Sequence, residues 1–179
     1  TRPVTIGDNT RGSNSTLVSV INTLTGAGGI AGFNYANSAS TLYSLSQSYG
    51  GSKGVIIASE TSSATNSRGR YMSMSDNSAI DGAYHLTSYD TSKVSWGITA
   101  HDSIYNTYQY DCVAGEFVWT GFDYIGEPTP WNGTTSGDSG RGAIPNSSYF
   151  GIVETTGFPK DTYYLYRSQW NKDATTVHL

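Results

Sequence analysis

Apolar positions along the chain fall alternately into short continuous runs and into helical stripes, and no pair of runs has hairpin spacing. Residues 3–6 read as a first strand. Leu17, Val20, Ile21 and Leu24 then recur at i, i+3, i+4 and i+7, the mark of one helix face, and Gly26, Gly28 and Gly29 end that helix. Residues 30–33 form a second run. A shorter stripe follows, with Leu42, Leu45 and Tyr49 on one side and Gly50 and Gly51 as its stop. The third strand spans residues 54–58; its unbroken Val55, Ile56 and Ile57 suit a parallel strand covered on both faces.

A Ser/Asn-rich excursion occupies residues 61–89. A helix over residues 91–110 is expected next, with Asp90 as its cap and Val94, Ile98, His101, Tyr105 and Tyr108 on one face, although Gly97 disfavours it. Residues 113–119 form the fourth strand. A Gly/Pro-rich loop leads to a helix opened by Pro159 and carrying Tyr163, Tyr166 and Trp170, and residues 174–179 read as a further strand beginning. Strand and helix in alternation predict an α/β fold with parallel strands and crossover helices, in four units. A complete (β/α)8 barrel takes roughly 250 residues. At 179 residues, with a strand starting at each end, the chain reads as a cut-out from a longer protein.

Composition narrows the class of partner. Charged residues make up 13% of the chain, against about 25% in ordinary domains. Yet 14 Tyr, 4 Trp and 5 Phe supply enough apolar surface for a core, so disorder is a poor reading. A net charge of -4 without a basic cluster offers nothing to a phosphate backbone or an anionic membrane, so no nucleic-acid or membrane partner is expected. The single Cys112 excludes an internal disulfide and, beside Val113 and Ala114, reads as a small buried residue. The three His residues are too scattered for a ligand set, so no metal is expected. Asn14, Asn132 and Asn146 head Asn-X-Ser/Thr triplets that composition alone would produce, which leaves glycosylation open. Low charge with abundant Ser, Thr, Asn and Tyr favours a secreted or cell-surface location.

In a barrel the chemistry gathers at the C-terminal ends of the strands. Those positions hold Asp8, then Asn34 and Tyr35, then Glu60, then Trp119, Asp123 and Glu127. Carboxylates, amides and flat rings are what a sugar site needs, although polar residues end most strands and loop solvation explains them equally well. Glu60 stands apart, directly after small and β-branched strand residues in a carboxylate-poor sequence. An ion pair to Arg68 or Arg70 is its structural alternative.

The run from Ala58, Ser59 and Glu60 through Thr61, Ser62, Ser63 and Ala64 to Ser67, Arg68 and Gly69 resembles the nucleophile strand of glycoside hydrolase family 2. Residues 113–131 resemble strand eight of its β-galactosidase members. Arg2, Pro3, Val4 and Thr5 resemble strand five, and Gly32, Phe33, Asn34 and Tyr35 strand six. Tyr149 to Val153, with Gly157 to Asp161, Tyr163 and Tyr164, resembles the lead into the last barrel helix. Residues 72–85 and 133–146 are the least family-like.

The resemblance implies strands five to eight of a (β/α)8 barrel over residues 1–173, with a following β domain beginning at 174. It implies Glu60 as nucleophile of a retaining β-galactosidase, a Tyr35 hydrogen bond to that carboxylate, and Trp119 as the stacking wall. Asp8 and Asn34 would bind sugar hydroxyls. Asp123 and Glu127 would either do the same or brace the loop that holds Trp131, which is itself a substrate-binding candidate. The acid/base Glu follows an Asn in the family, and no Asn-Glu pair occurs here, so the isolated chain is expected to be inactive and to need the N-terminal half-barrel and flanking β domains as partners. No cofactor is implied. Two rivals stand: a non-catalytic carbohydrate-binding module, and β-glucuronidase or β-mannosidase specificity on the same scaffold.

Overall fold

The computed structural model describes residues 2–71, 84–132 and 144–178. The element order is β1 (Thr5–Asp8), α1 (Ser15–Gly26), β2 (Ile30–Asn34), α2 (Ala39–Tyr49), a 3-10 turn at Gly51–Lys53, β3 (Ile56–Ser62), α3 (Ala100–Thr107), β4 (Val113–Trp119) and α4 (Asp161–Trp170). The strands form one four-stranded sheet in chain order, β1-β2-β3-β4. β2 pairs in parallel with β1, and β3 in parallel with β2. The chain is therefore an α/β protein with a parallel sheet, as the alternation of runs and stripes predicts.

Contacts divide the chain into two compact units, Thr1–Ser62 with Asp102–Val118, and Ser63–His101 with Trp119–Leu179. In the first, α1 is capped by Asn14, whose side chain accepts from the Thr16 and Leu17 N–H groups, and α2 by Ser38, which accepts from Thr41 N–H. Both helices lay an apolar side on one face of the sheet, although Val20, expected on the buried stripe of α1, is exposed. Ile21, Leu42 and Leu45 meet Ala31, Phe33, Ile56, Ala58 and Val113 there, and Tyr49 packs against Phe33 with ring centroids 5.7 Å apart. In the second unit Tyr84, Leu86 and Trp131 form a smaller core with Ile144 and Tyr149.

Four elements differ from the sequence expectation. Strand three lies at Ile56–Ser62 rather than 54–58, because Gly54, at φ 62°, closes the preceding 3-10 turn and the polar residues after Ala58 stay in the sheet. The helix expected over 91–110 shrinks to Ala100–Thr107. Its first part pairs instead with the segment after β3: Val94 N–H donates to Ser63 O at 3.3 Å, Thr65 N–H donates to Ser92 O at 2.9 Å, and Ala64 bridges Lys93. Asp90 caps the shortened helix from ten residues upstream, accepting from Ala100 N–H at 2.9 Å and His101 N–H at 2.7 Å. Residues 174–178, read as a strand, form none. Strand one is displaced to Thr5–Asp8, as Pro3 has no N–H to give a ladder. Most of the variable loops at 72–85 and 133–146 lies outside the described residues.

Candidate active site

The register between β2 and β3 decides where Glu60 points. Phe33 pairs with Ala58, and the next β2 residue, Asn34, pairs with Glu60, so Ser59 is an extra residue and the strand bulges there. Paired residues share a face of the sheet. Phe33 and Ala58 face the helices; Asn34, one residue on, faces away, and Glu60 goes with it. An unbulged strand would have set Glu60 on the Ala58 side, in the apolar core. Bulges commonly re-aim a side chain in this way beside functional sites.

The face that Glu60 shares is built from small and polar residues. Ser59 Oγ donates to Asn34 Oδ1 at 2.8 Å. Gly7 and Gly32 keep that pair in place: a Cβ on Gly7 would come within 2.9 Å of Asn34 Oδ1, and one on Gly32 within 2.9 Å of Ser59 Oγ and 2.8 Å of Ile6 O. Tyr35 follows at φ 52°, and its N–H donates to the Glu60 carbonyl at 2.8 Å. The link from Tyr35 to Glu60 seen here therefore runs through the main chain. Asn34, Tyr35, Ser59 and Glu60 are all part-buried.

Asp8, expected to bind sugar hydroxyls, has another job. It is 0% exposed. Oδ1 accepts from Thr10 N–H at 2.6 Å and Thr10 Oγ1 at 2.7 Å, and Oδ2 accepts from Gly12 N–H at 2.7 Å. Burial pushes its pKa up, but the donors from Thr10, Gly12 and Arg11 outweigh that and hold the carboxyl below its ordinary value. Asp8 shapes the loop from β1 to α1.

In the second unit the remaining candidates are also committed. Asp123 Oδ2 pairs with Lys160 Nζ at 2.7 Å, and Oδ1 accepts from Gly151 N–H at 2.7 Å. Lys160, 1% exposed, also donates to the Asn66 carbonyl at 2.8 Å and that of Tyr149 at 3.3 Å. Burial pushes Asp123 up and Lys160 down, and their mutual attraction opposes both shifts. Glu127 accepts from Tyr124 Oη at 2.5 Å and Thr129 Oγ1 at 2.8 Å, one donor to each oxygen. Of the two roles open to Asp123 and Glu127, the bonds seen are those of loop bracing. Trp131, expected at the substrate, is 8% exposed and packs edge-on against Tyr84 and Tyr149 at 5.5 and 6.3 Å. Trp119 is less enclosed, with Tyr124 edge-on at 6.0 Å. Arg68 pairs with Glu154 at 3.0 Å.

Sequence reasoning missed Glu116. It sits inside β4, where an apolar run hides it, and its Oε2 accepts from Thr61 Oγ1 at 2.7 Å and Ser103 Oγ at 2.6 Å, all three residues lying in the first unit. A carboxylate within a strand otherwise free of charge was the available signal. Among the described residues no group of three His, Cys, Asp or Glu side chains could hold a metal ion, and no helix is long and apolar enough to cross a membrane.

No family model matches the chain. The β-galactosidase BoGH2A of Bacteroides ovatus is 36% identical to it over 189 aligned positions, 100% of this chain and 20% of that protein. A Formosa agariphila protein, provisionally named a β-glucuronidase, is 38% identical over 67 residues, 37% of this chain and 6% of its own length. The chain thus spans about a fifth of the length of the first relative and far less of the second. Among solved structures, a crystal structure of Bacteroides uniformis β-glucuronidase superposes with a TM-score of 0.57 at 18% identity, over 99% of this chain and 19% of that one, and so shares its fold. With the relation to BoGH2A carried through every segment of the sequence, the chain belongs to glycoside hydrolase family 2.

Proposed function

We propose that the chain is the nucleophile-bearing part of a retaining β-galactosidase, with Glu60 as the nucleophile. The observation that supports this best is the β3 bulge, which turns one carboxylate out of an apolar core onto a face of glycine, serine and asparagine. A structural glutamate needs no such device. In the proposed reaction Glu60 attacks the anomeric carbon as the bond to the leaving-group oxygen breaks, and that oxygen takes a proton from an acid/base residue. The glycosyl ester is then hydrolysed by water activated by the same acid/base, with retention of configuration.

Roles in this scheme follow the family resemblance. The Tyr35 hydroxyl donates to the Glu60 carboxylate when substrate is bound, holding it in one rotamer. Asn34, whose Oδ1 is taken by Ser59, has its amide N–H groups left for a sugar hydroxyl. Trp119 is the ring on which the sugar stacks. Asp8, Asp123, Glu127 and Trp131 act on structure and not on substrate. In this scheme residues 1–173 are strands five to eight of a (β/α)8 barrel whose acid/base glutamate comes from another segment, and residues 174–179 start a β domain.

The β-glucuronidase names among the matched proteins support a second specificity on the same chemistry. A panel of 4-nitrophenyl β-galactoside, β-glucuronide and β-mannoside, assayed on the full-length polypeptide and on the isolated chain, separates these readings. The expected result is galactoside turnover by the full-length protein only, abolished by Glu60→Gln. Turnover by the isolated chain would show that the acid/base lies within it. Unchanged turnover in Glu60→Gln would remove Glu60 from the chemistry and leave a carbohydrate-binding role.

A further inference from the structure

Glu116 is the one acidic residue of β4, and nothing in the proposed double displacement uses it. Its Oε2 is held by two hydroxyls from different elements, Thr61 on β3 and Ser103 on α3. Its Oε1 is buried and has no hydrogen-bond partner among the described residues. An ionised carboxyl there would leave charge on an oxygen that neither water nor protein solvates, whereas the acid leaves only a neutral one. Burial accordingly outweighs the two hydroxyl donors and pushes the group above its ordinary 4.5.

A leucine would fill the same space without desolvating a carboxyl, so the reason for an acid lies in what it holds. Thr61 is the residue after Glu60, and β3 is irregular on both sides of that point. Ser59 is unpaired at the bulge, and Ser62 follows at φ 65°. Glu60 keeps its pairing with Asn34 but sits between these two irregularities. Its main chain is held from the β2 side by Tyr35 N–H, and the Thr61–Glu116 bond adds a side-chain tie to β4.

We propose that Glu116 is a positioning residue for Glu60: through Thr61 it clamps the bulged end of β3 so that the nucleophile keeps one setting. The inference rests on the reading of Glu60 as nucleophile. Its test uses 2,4-dinitrophenyl 2-deoxy-2-fluoro-β-D-galactoside on the full-length polypeptide. The leaving group needs no proton, so the labelling rate reports attack by Glu60 alone, and saturation separates that rate from binding.

Loosening the clamp with Glu116→Ala or Thr61→Val should slow labelling by about tenfold to a hundredfold, the order expected for a reacting group displaced by about 1 Å. The apparent binding constant should stay unchanged. Glu116→Gln, which keeps an acceptor for both hydroxyls, should label within about threefold of the parent, and the Ala/Val double variant should be no slower than either single variant. Labelling at the parent rate in Thr61→Val, or a Gln variant as slow as the Ala variant, would overturn the proposal. Should Glu116→Ala fail to fold, the Val and Gln variants carry the test by themselves. A parent protein that takes no label at Glu60 would overturn the nucleophile reading itself, and the clamp's catalytic role with it.

Discussion

Replacing Asp123 by Ala should destabilise the second unit by about 3–5 kcal/mol at pH 7, the cost of leaving a buried charge without its partner. The variant keeps Lys160 Nζ on the Asn66 and Tyr149 carbonyls but removes its counter-charge at 2.7 Å and strands the Gly151 N–H. An upper bound comes from the alternative open to the lysine, which is to shed its proton. From an ordinary pKa of 10.5, deprotonation at pH 7 costs about 4.8 kcal/mol at 1.36 kcal/mol per pH unit, and burial lowers that figure. The bound and the direct expectation agree. The deficit should also shrink as pH rises toward 9, since a neutral Lys160 becomes less costly while the parent retains its ion pair. All four tryptophans, at 96, 119, 131 and 170, belong to the second unit, so urea unfolding followed by Trp fluorescence reads that unit selectively. A loss below about 1 kcal/mol, or one independent of pH, would refute the reasoning. A normal unfolding midpoint with loss of sugar affinity would return Asp123 to the substrate.

Three further outcomes can be checked directly. Glu116 binds its proton more tightly in the folded chain than in the unfolded one, so the stability it contributes falls as pH rises from its ordinary 4.5 through the raised folded value. The melting temperature of Glu116→Gln relative to the parent should therefore climb across that window, and a constant difference would show that the carboxyl is not held neutral. Asp8 has the opposite sign: its stabilisation is present above its ordinary 3.8 and is lost as pH falls through the depressed folded value. Asp8→Asn should thus cost stability at pH 7 and little at pH 2, by circular dichroism melts. Phe33→Ala, which opens the core between sheet and helices, should cost about 3–5 kcal/mol, with Trp fluorescence a poor reporter of it because the first unit holds no tryptophan.

Much of the fold was legible because apolar periodicity and burial coincide over most of the first unit, with Val4 and Val20 among the exposed exceptions. β4 falls where its apolar run falls, and the Leu42 and Leu45 stripe is buried as expected. The misread elements share a cause. Ser59 to Ser62 look like loop because they are polar, yet their neighbours supply a strand partner and, for Thr61, a buried acceptor. Residues 91–99 carry a helical stripe, but pairing with the segment after β3 gave their backbone groups another outlet. Glu60 could be singled out from its setting after a β-branched run. The bulge that aims it could not, since a register shift depends on the partner strand. Asp8, Asp123 and Trp131 are residue types suited to a sugar site, and only their bonds and burial reveal that the fold has claimed them. Glu116 escaped notice for the converse reason, that a residue inside an apolar strand reads as structural.

The central claim is that Glu60 forms the covalent bond to the sugar. Mass spectrometry of peptides from the full-length polypeptide, after reaction with the 2-deoxy-2-fluoro galactoside, tests it most directly. The account predicts a single fluorogalactosyl adduct on the peptide containing Glu60, absent in Glu60→Gln. An adduct on any other carboxylate, accompanied by loss of activity, would contradict it.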